Sequence, residues 1–131
     1  MNNIDILGIN ETNIAEQQGK FMIKNDSNYV GFWTEASESK IKGSGVGVVI
    51  SRAWEKHIGK VTRFSNYYID ILLMFKKVKI VVIIVYIPPS DKEEKKKIQQ
   101  QIIRKIRECE KDKIRIVVMG DFNDIRSKEL N

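Results

Sequence analysis

The sequence predicts an α/β protein with a mixed sheet and flanking helices. Two β-rich runs, residues 68–75 and 79–87, precede one long helical stretch, which is followed by a further apolar strand. This order of strand, strand, helix and strand is typical of the α/β class. A chain of 131 residues is long enough to bury one hydrophobic core, so we expect a single domain.

The N-terminal third of the chain contains shorter candidate elements. The apolar run of residues 4–9 predicts a buried strand. Residues 13–23 are expected to form a short helix. The aromatic run of residues 29–34 and the β-branched run of residues 46–51 predict two further strands.

The two long β-rich runs are predicted to form an antiparallel hairpin, because only residues 76–78 separate them. Residues 80–85 show no polar alternation, so we expect this strand to be covered on both faces. Pro88 and Pro89 end it, since proline has no backbone N–H to donate to a sheet.

Residues 91–112 predict the one strong helix. Ser90 or Asp91 can cap its N-terminus. Apolar side chains recur along it at spacings of three and four residues, which predicts a single buried stripe. The stripe consists of Ile98, Ile102, Ile106 and Cys109. Residues 115–119 then predict a strand that ends at a Gly-Asp-Phe-Asn turn.

Composition excludes several classes of protein. One cysteine and one histidine cannot supply the four ligands of a Cys/His zinc site. The formal charge of +6 favours polyanionic partners, although a lysine-rich solvated surface gives the same balance. No apolar run approaches the roughly 20 residues of a membrane helix, and no secretory leader opens the chain. We therefore predict a soluble intracellular protein, nuclear or cytoplasmic, with no membrane partner.

Polar side chains follow three of the predicted strands. Glu11 follows the first strand, Tyr86 ends the second strand of the hairpin, and Asp121 and Asn123 follow the last one. Ligands of α/β sheets bind at the carboxyl ends of strands. Glu11 and Asp121 could supply hard oxygen ligands to Mg²⁺, and the Asn123 amide could donate to a phosphoryl oxygen as charge develops. The Tyr86 hydroxyl could donate to the same phosphate.

The Gly-Asp-Phe-Asn turn allows two interpretations. Gly120 lets backbone or substrate approach closely, and Phe122 is expected to anchor the turn in the core. Asp121 and Asn123 are equally common in an Asx turn that merely closes a strand.

Simpler roles also compete for the other candidate residues. Glu11 fits an exposed acid at a strand end, and Tyr86 fits a half-buried packing residue. His57 is expected to lie on the surface or to pack, because no serine or cysteine arrangement points to it as a general base. Cys109 is expected to be a small core residue, and the basic stretch of residues 95–107 a solvated helix face.

Taken together, four segments resemble the endonuclease/exonuclease/phosphatase superfamily, which includes AP endonucleases and the nuclease domains of LINE-type retrotransposons. The segments are residues 5–12 (DILGINET), 43–50 (GSGVGVVI), 85–88 (VYIP) and 120–123 (GDFN). Their order and spacing are those of the family, and they span nearly the whole chain. Residues 51–58 look particularly like the retrotransposon branch.

The resemblance implies a fold and a chemistry. The family fold is a four-layer α/β sandwich of two packed sheets, of which this chain would be roughly the first half. By resemblance Glu11 would ligate Mg²⁺ or Mn²⁺, and Tyr86 would contact the scissile phosphate. Asp121 would orient the attacking water and help to bind the metal, and Asn123 would stabilise the transition state. The implied reaction is hydrolysis of nucleic-acid phosphodiesters, with DNA the favoured partner.

The chain also departs from the family pattern. The family's first strand would precede Met1, and Asn10 stands where glutamine is usual. The C-terminal half, with its catalytic Asp-His pair, is absent. We therefore expect residues 1–131 to be one incomplete domain, a truncated Mg²⁺-dependent nuclease that is weakly active or inactive by itself. The alternative is a non-catalytic remnant that binds nucleic acid or a partner chain. The choice among DNA, RNA and a small phosphoester, any abasic-site specificity and the oligomeric state are left open.

Overall fold

Seven strands, one 3-10 helix and one α-helix make up the part of the chain that the computed structural model describes, residues 5–10, 28–34 and 45–122. The strands are β1 (Ile6–Asn10), β2 (Tyr29–Trp33), β3 (Val46–Ser51), β4 (Ile58–Ser65), β5 (Tyr68–Met74), β6 (Lys79–Tyr86) and β7 (Arg115–Asp121). The 3-10 helix spans Arg52–His57, and α1 spans Lys92–Lys111.

The strands form two sheets. The first is antiparallel, with the order β1-β3-β2, and the second has the order β4-β5-β6-β7. Within the second sheet β5 and β6 pair antiparallel as the predicted hairpin, whereas β6 and β7 pair in parallel. The parallel pair needs a crossover connection, which α1 supplies. The predicted α/β class with a mixed sheet is confirmed.

The main hydrophobic core lies between the two sheets. It is built from alternate residues of the central strands, so that one face of β3 meets one face of β5 and β6. Its fully buried members include Val48 from β3, Ile71 from β5 and Ile84 from β6. Burying a side chain of this size contributes about 1.5–3 kcal/mol. This core fixes the position of one sheet on the other.

A second core lies between the opposite face of the four-stranded sheet and α1. It contains Val81, Ile83 and Val85 of β6 together with Ile98 and Cys109 of the helix. Strand β6 is therefore covered on both faces, as its uninterrupted apolar sequence predicts. The described layers are thus sheet, sheet and helix.

Helix α1 begins where the sequence predicts. The side chain of Asp91 accepts a hydrogen bond from the Glu94 N–H at 3.0 Å and so caps the first turn. The helix ends before Lys113, whose φ of 57° lies in the left-handed region. No helix within the described ranges is long and apolar enough to cross a membrane.

Two elements differ from the sequence interpretation or cannot be compared with it. Strand β4 was not expected, because two register shifts interrupt its pairing with β5 and obscure the apolar alternation. The short helix predicted for residues 13–23 lies outside the described residues.

Candidate functional site

Three strands end at the same place on the molecule. Asn10 is the last residue of β1, Tyr86 of β6 and Asp121 of β7. Tyr86 and Asp121 are register partners on parallel neighbouring strands. The carbonyl of Asp121 accepts a hydrogen bond from the Ile87 N–H at 2.8 Å, which keeps the two strands paired to their ends.

The side chain of Asn10 joins this pair of strands to the other sheet. With its amide oriented to satisfy both neighbours, Asn10 donates to the Val85 carbonyl at 3.3 Å and accepts from the Asp121 N–H at 3.0 Å. One amide of β1 thus contacts the backbone of both β6 and β7. This contact fixes the carboxyl end of β1 beside Asp121.

Gly120 allows the backbone of β7 to lie close to the Val85 carbonyl of β6. A Cβ atom at this position would lie 1.8 Å from the Val85 carbonyl oxygen, and the φ of Gly120 is +145°. No L side chain tolerates both conditions. The group that approaches Gly120 closely is therefore the backbone of Val85.

Two tyrosine rings pack together at the end of β6. Tyr86 is only 7% exposed, and its ring centroid lies 5.9 Å from that of Tyr67. Burial raises the pKa of Tyr67, and the carboxylates of Glu94 and Asp91 raise it further. The Tyr67 hydroxyl is therefore protonated at neutral pH and able to donate a hydrogen bond.

Two residues that the sequence interpretation did not select also lie at this end of the sandwich. The buried Thr34 hydroxyl accepts from the Val46 N–H at 2.9 Å and donates to the Asn66 carbonyl at 3.0 Å, which links the two sheets. Arg63 on β4 donates through Nε to the Trp33 carbonyl at 2.7 Å. A threonine directly after an aromatic strand and an arginine in an unrecognised strand gave no usable signal in the sequence.

The structure brings two of the four predicted site residues together. Tyr86 and Asp121 are neighbours, whereas Glu11 and Asn123 lie outside the described residues. The expectation for Phe122 was wrong, because its side chain is 40% exposed and does not anchor the turn in a core.

The residues predicted to have no catalytic role lie away from these strand ends. His57 packs on Phe75 with ring centroids 4.5 Å apart, and its Nδ1 lies 3.1 Å from the Met74 carbonyl oxygen. Cys109 is buried on the face of α1 that packs against the sheet, and this burial raises the pKa of its thiol. Both residues pack, as the sequence predicts.

A carboxylate at these strand ends is the type of group that a hard cation prefers. Asp121 is exposed and offers a carboxylate there. In the described part of the chain no group of three or more His, Cys, Asp or Glu side chains is placed to hold a metal. Mg²⁺ needs fewer, because it keeps several waters and is commonly bound through one or two carboxylates.

Comparisons with known proteins identify the fold. No family model matches the chain, and neither does the sequence of any curated protein. The crystal structure of TDP2 from Caenorhabditis elegans superposes with a TM-score of 0.63 at 13% identity, over 95% of this chain and 39% of that one. A humanized Danio rerio TDP2 gives a TM-score of 0.61 at 15% identity, over 97% of this chain and 56% of that one.

The chain therefore spans about two fifths to just over half of the length of these solved structures. TDP2 is a member of the endonuclease/exonuclease/phosphatase superfamily. At this level of identity the similarity concerns the fold alone. The chain has a partial two-sheet α/β fold like that of these solved structures.

Proposed function

We propose that the chain is part of a Mg²⁺-dependent phosphodiesterase that hydrolyses nucleic-acid phosphodiesters at the joined ends of β1, β6 and β7. The observation that carries the proposal is the contact between the Asn10 side chain and the Asp121 N–H at 3.0 Å. Glu11 directly follows Asn10 in the chain. The proposal therefore assigns Glu11 and Asp121, two carboxylates that are 110 residues apart in sequence, to one metal site.

Each side chain has a role that its chemistry allows. Glu11 and Asp121 would hold the cation, which neutralises charge on the phosphate when it is bound. Asp121 also accepts a hydrogen bond from the attacking water and orients it for in-line attack. Tyr86, whose ring is fixed by packing between the sheets, donates its hydroxyl to the scissile phosphate. The Asn123 amide donates to a phosphoryl oxygen as negative charge accumulates.

A plasmid-nicking assay tests the proposal. Supercoiled DNA is incubated with the chain in Mg²⁺ or in EDTA, and the same is done with Glu11→Gln and Asp121→Asn. Each substitution should reduce metal-dependent nicking by about 10²-fold or more, because a positioned group is lost at the reacting centre. Glu110→Gln on the exposed face of α1 is the matched control and should nick like the parent chain.

The same assay addresses the alternative of a non-catalytic nucleic-acid-binding domain. The formal charge of +6 favours such binding. If Mg²⁺ raises nicking by the parent chain and by both site variants equally, the two carboxylates do not carry the hydrolysis and the proposal is wrong. If all three chains nick only at the EDTA background but bind DNA in a salt-dependent manner, residues 1–131 bind without catalysis, as the alternative expects.

A further inference from the structure

A basic hollow lies at the end of the sandwich opposite the candidate site. It forms where the β5–β6 turn meets the α1–β7 turn, at the amino ends of β6 and β7. Its volume is about 420 Å³. The charged residues that line it are Lys76, Lys77, Lys79, Asp112, Lys113 and Arg115.

The charges in this hollow are almost all of one sign. Five cationic side chains face a single carboxylate. None of the five forms an ion pair with a carboxylate of the described residues. The ion pairs among those residues are made by Arg52 and Lys105, which lie outside the hollow. A concave surface with like charges focuses the electrostatic field and raises the local concentration of counter-charged ligands. The hollow therefore favours an anion with more than one negative charge.

The backbone of Lys113 provides a second, independent indication. After α1 ends, Ile114 donates its N–H to the Cys109 carbonyl at 2.8 Å and Lys113 donates to the Glu110 carbonyl at 3.3 Å. This cap places Lys113 at a φ of 57°, a left-handed conformation that glycine adopts without strain. A lysine at this position places its own ammonium group in the hollow, although the left-handed backbone costs conformational free energy. Strain of this kind accumulates at functional sites.

We propose that the hollow binds the phosphate backbone of nucleic acid. Adjacent phosphates of one strand supply the repeated negative charge that five clustered cations require. The hollow and the candidate site lie at opposite ends of β6, seven residues or about 23 Å apart. This contact goes beyond the proposed hydrolysis, because it requires no metal and no reaction.

Binding of a labelled DNA duplex, measured by fluorescence anisotropy in EDTA over a series of salt concentrations, tests the proposal. The Lys76→Ala/Lys77→Ala double variant should lower the slope of log affinity against log salt by about 1.8, since each lost phosphate contact removes about 0.9. The matched control is Lys96→Ala/Lys97→Ala on the exposed face of α1, which removes the same charge elsewhere. It should leave the slope unchanged.

Three outcomes would overturn the proposal. An unchanged slope in the hollow variant would mean that its lysines touch no phosphate. An equal loss in both double variants would mean that only net charge matters. Binding of inorganic phosphate in the hollow at matched ionic strength, without any binding of the duplex, would also exclude nucleic acid as the ligand.

The Lys113→Gly variant tests whether weaker DNA binding results only from a loss of folded structure. This variant should unfold at higher urea than the parent chain yet bind the duplex more weakly, a combination that misfolding cannot produce. Parent-like DNA binding by a stabilised Lys113→Gly would contradict the proposal. Binding is measured in EDTA, where no metal-dependent hydrolysis occurs, so failure of the hydrolysis proposal would leave this result unchanged and the two failures give different results.

Discussion

The Tyr68 hydroxyl donates to a carboxylate oxygen of Asp70 at 2.7 Å, and both side chains are buried between β5 and α1. The Lys105 Nζ of the helix lies 3.6 Å from the other carboxylate oxygen. A buried carboxylate is therefore compensated by one hydroxyl and one ammonium group. This contact joins the helix to the sheet through polar groups beside the second core.

Tyr68→Phe should destabilise the chain by about 1.5–3 kcal/mol, because it removes a hydrogen bond to a buried charged group. The free energy of unfolding in urea at pH 7 measures this loss. The control is Tyr29→Phe, whose hydroxyl has no hydrogen-bond partner among the residues that the structure describes. A change below about 0.5 kcal/mol in Tyr68→Phe would mean that Asp70 is satisfied without Tyr68.

The stability of the chain should also fall at alkaline pH. Burial raises the pKa of Tyr68 well above its ordinary value, and its hydrogen bond to Asp70 raises it further. In the unfolded chain this phenol ionises near pH 10, whereas in the folded chain it stays protonated. Its contribution is therefore fully present below about pH 10 and is lost as the pH rises above that value.

Urea unfolding between pH 8 and pH 11 measures this dependence. Tyr68→Phe should remove part of the alkaline slope, at most about 1.4 kcal/mol for each pH unit. A slope identical to that of the parent chain would show that Tyr68 ionises equally in both states.

Gly120→Ala should damage the end of β7. Its Cβ would lie 1.8 Å from the Val85 carbonyl oxygen at a φ of +145°, so the backbone must move. We expect a loss of about 3 kcal/mol or more, measured by thermal or urea unfolding. Gly59→Ala is the control, because its Cβ would meet the flexible side chain of Met74. Equal losses in the two variants would contradict the close approach at Gly120.

Lys113→Gly should stabilise the chain by about 1 kcal/mol, since glycine adopts the left-handed φ of 57° without steric cost. Lys111→Gly, inside the last turn of α1, should instead cost about 1 kcal/mol. Urea midpoints of the two variants measure the opposite signs. Destabilisation by Lys113→Gly would mean that a contact of the lysine side chain stabilises the chain by more than the left-handed backbone destabilises it.

The central part of the fold could be predicted because its signals are local. Residues 80–85 are apolar without interruption, and the structure places β6 between two cores. Asp91 follows Pro89 and Ser90 and precedes two glutamates, and it caps α1. In both cases neighbouring residues determine the backbone without help from distant ones.

Other features depend on contacts between distant residues, and the sequence therefore could not predict them. The division into two sheets is set by the packing of β3 on β5 and β6, which no local pattern records. Strand β4 lies at a sheet edge, where its charged and polar side chains resemble those of a loop.

The candidate site could be predicted in part. Tyr86 and Asp121 were recognisable as polar residues at strand ends, and the parallel pairing of β6 with β7 makes them neighbours. The role of Asn10 could not be predicted, because its partners Val85 and Asp121 are 75 and 111 residues away. The roles of all four residues, Glu11, Tyr86, Asp121 and Asn123, remain predictions.

The binding of Mn²⁺, followed by electron paramagnetic resonance, tests the central claim most directly because it needs no catalytic turnover. The account predicts one Mn²⁺ per chain, with affinity reduced about tenfold or more by Glu11→Gln and by Asp121→Asn. The double variant should lose little more than either single variant, since both carboxylates serve one ion. Unchanged Mn²⁺ affinity in both single variants would contradict a shared metal site at the ends of β1 and β7.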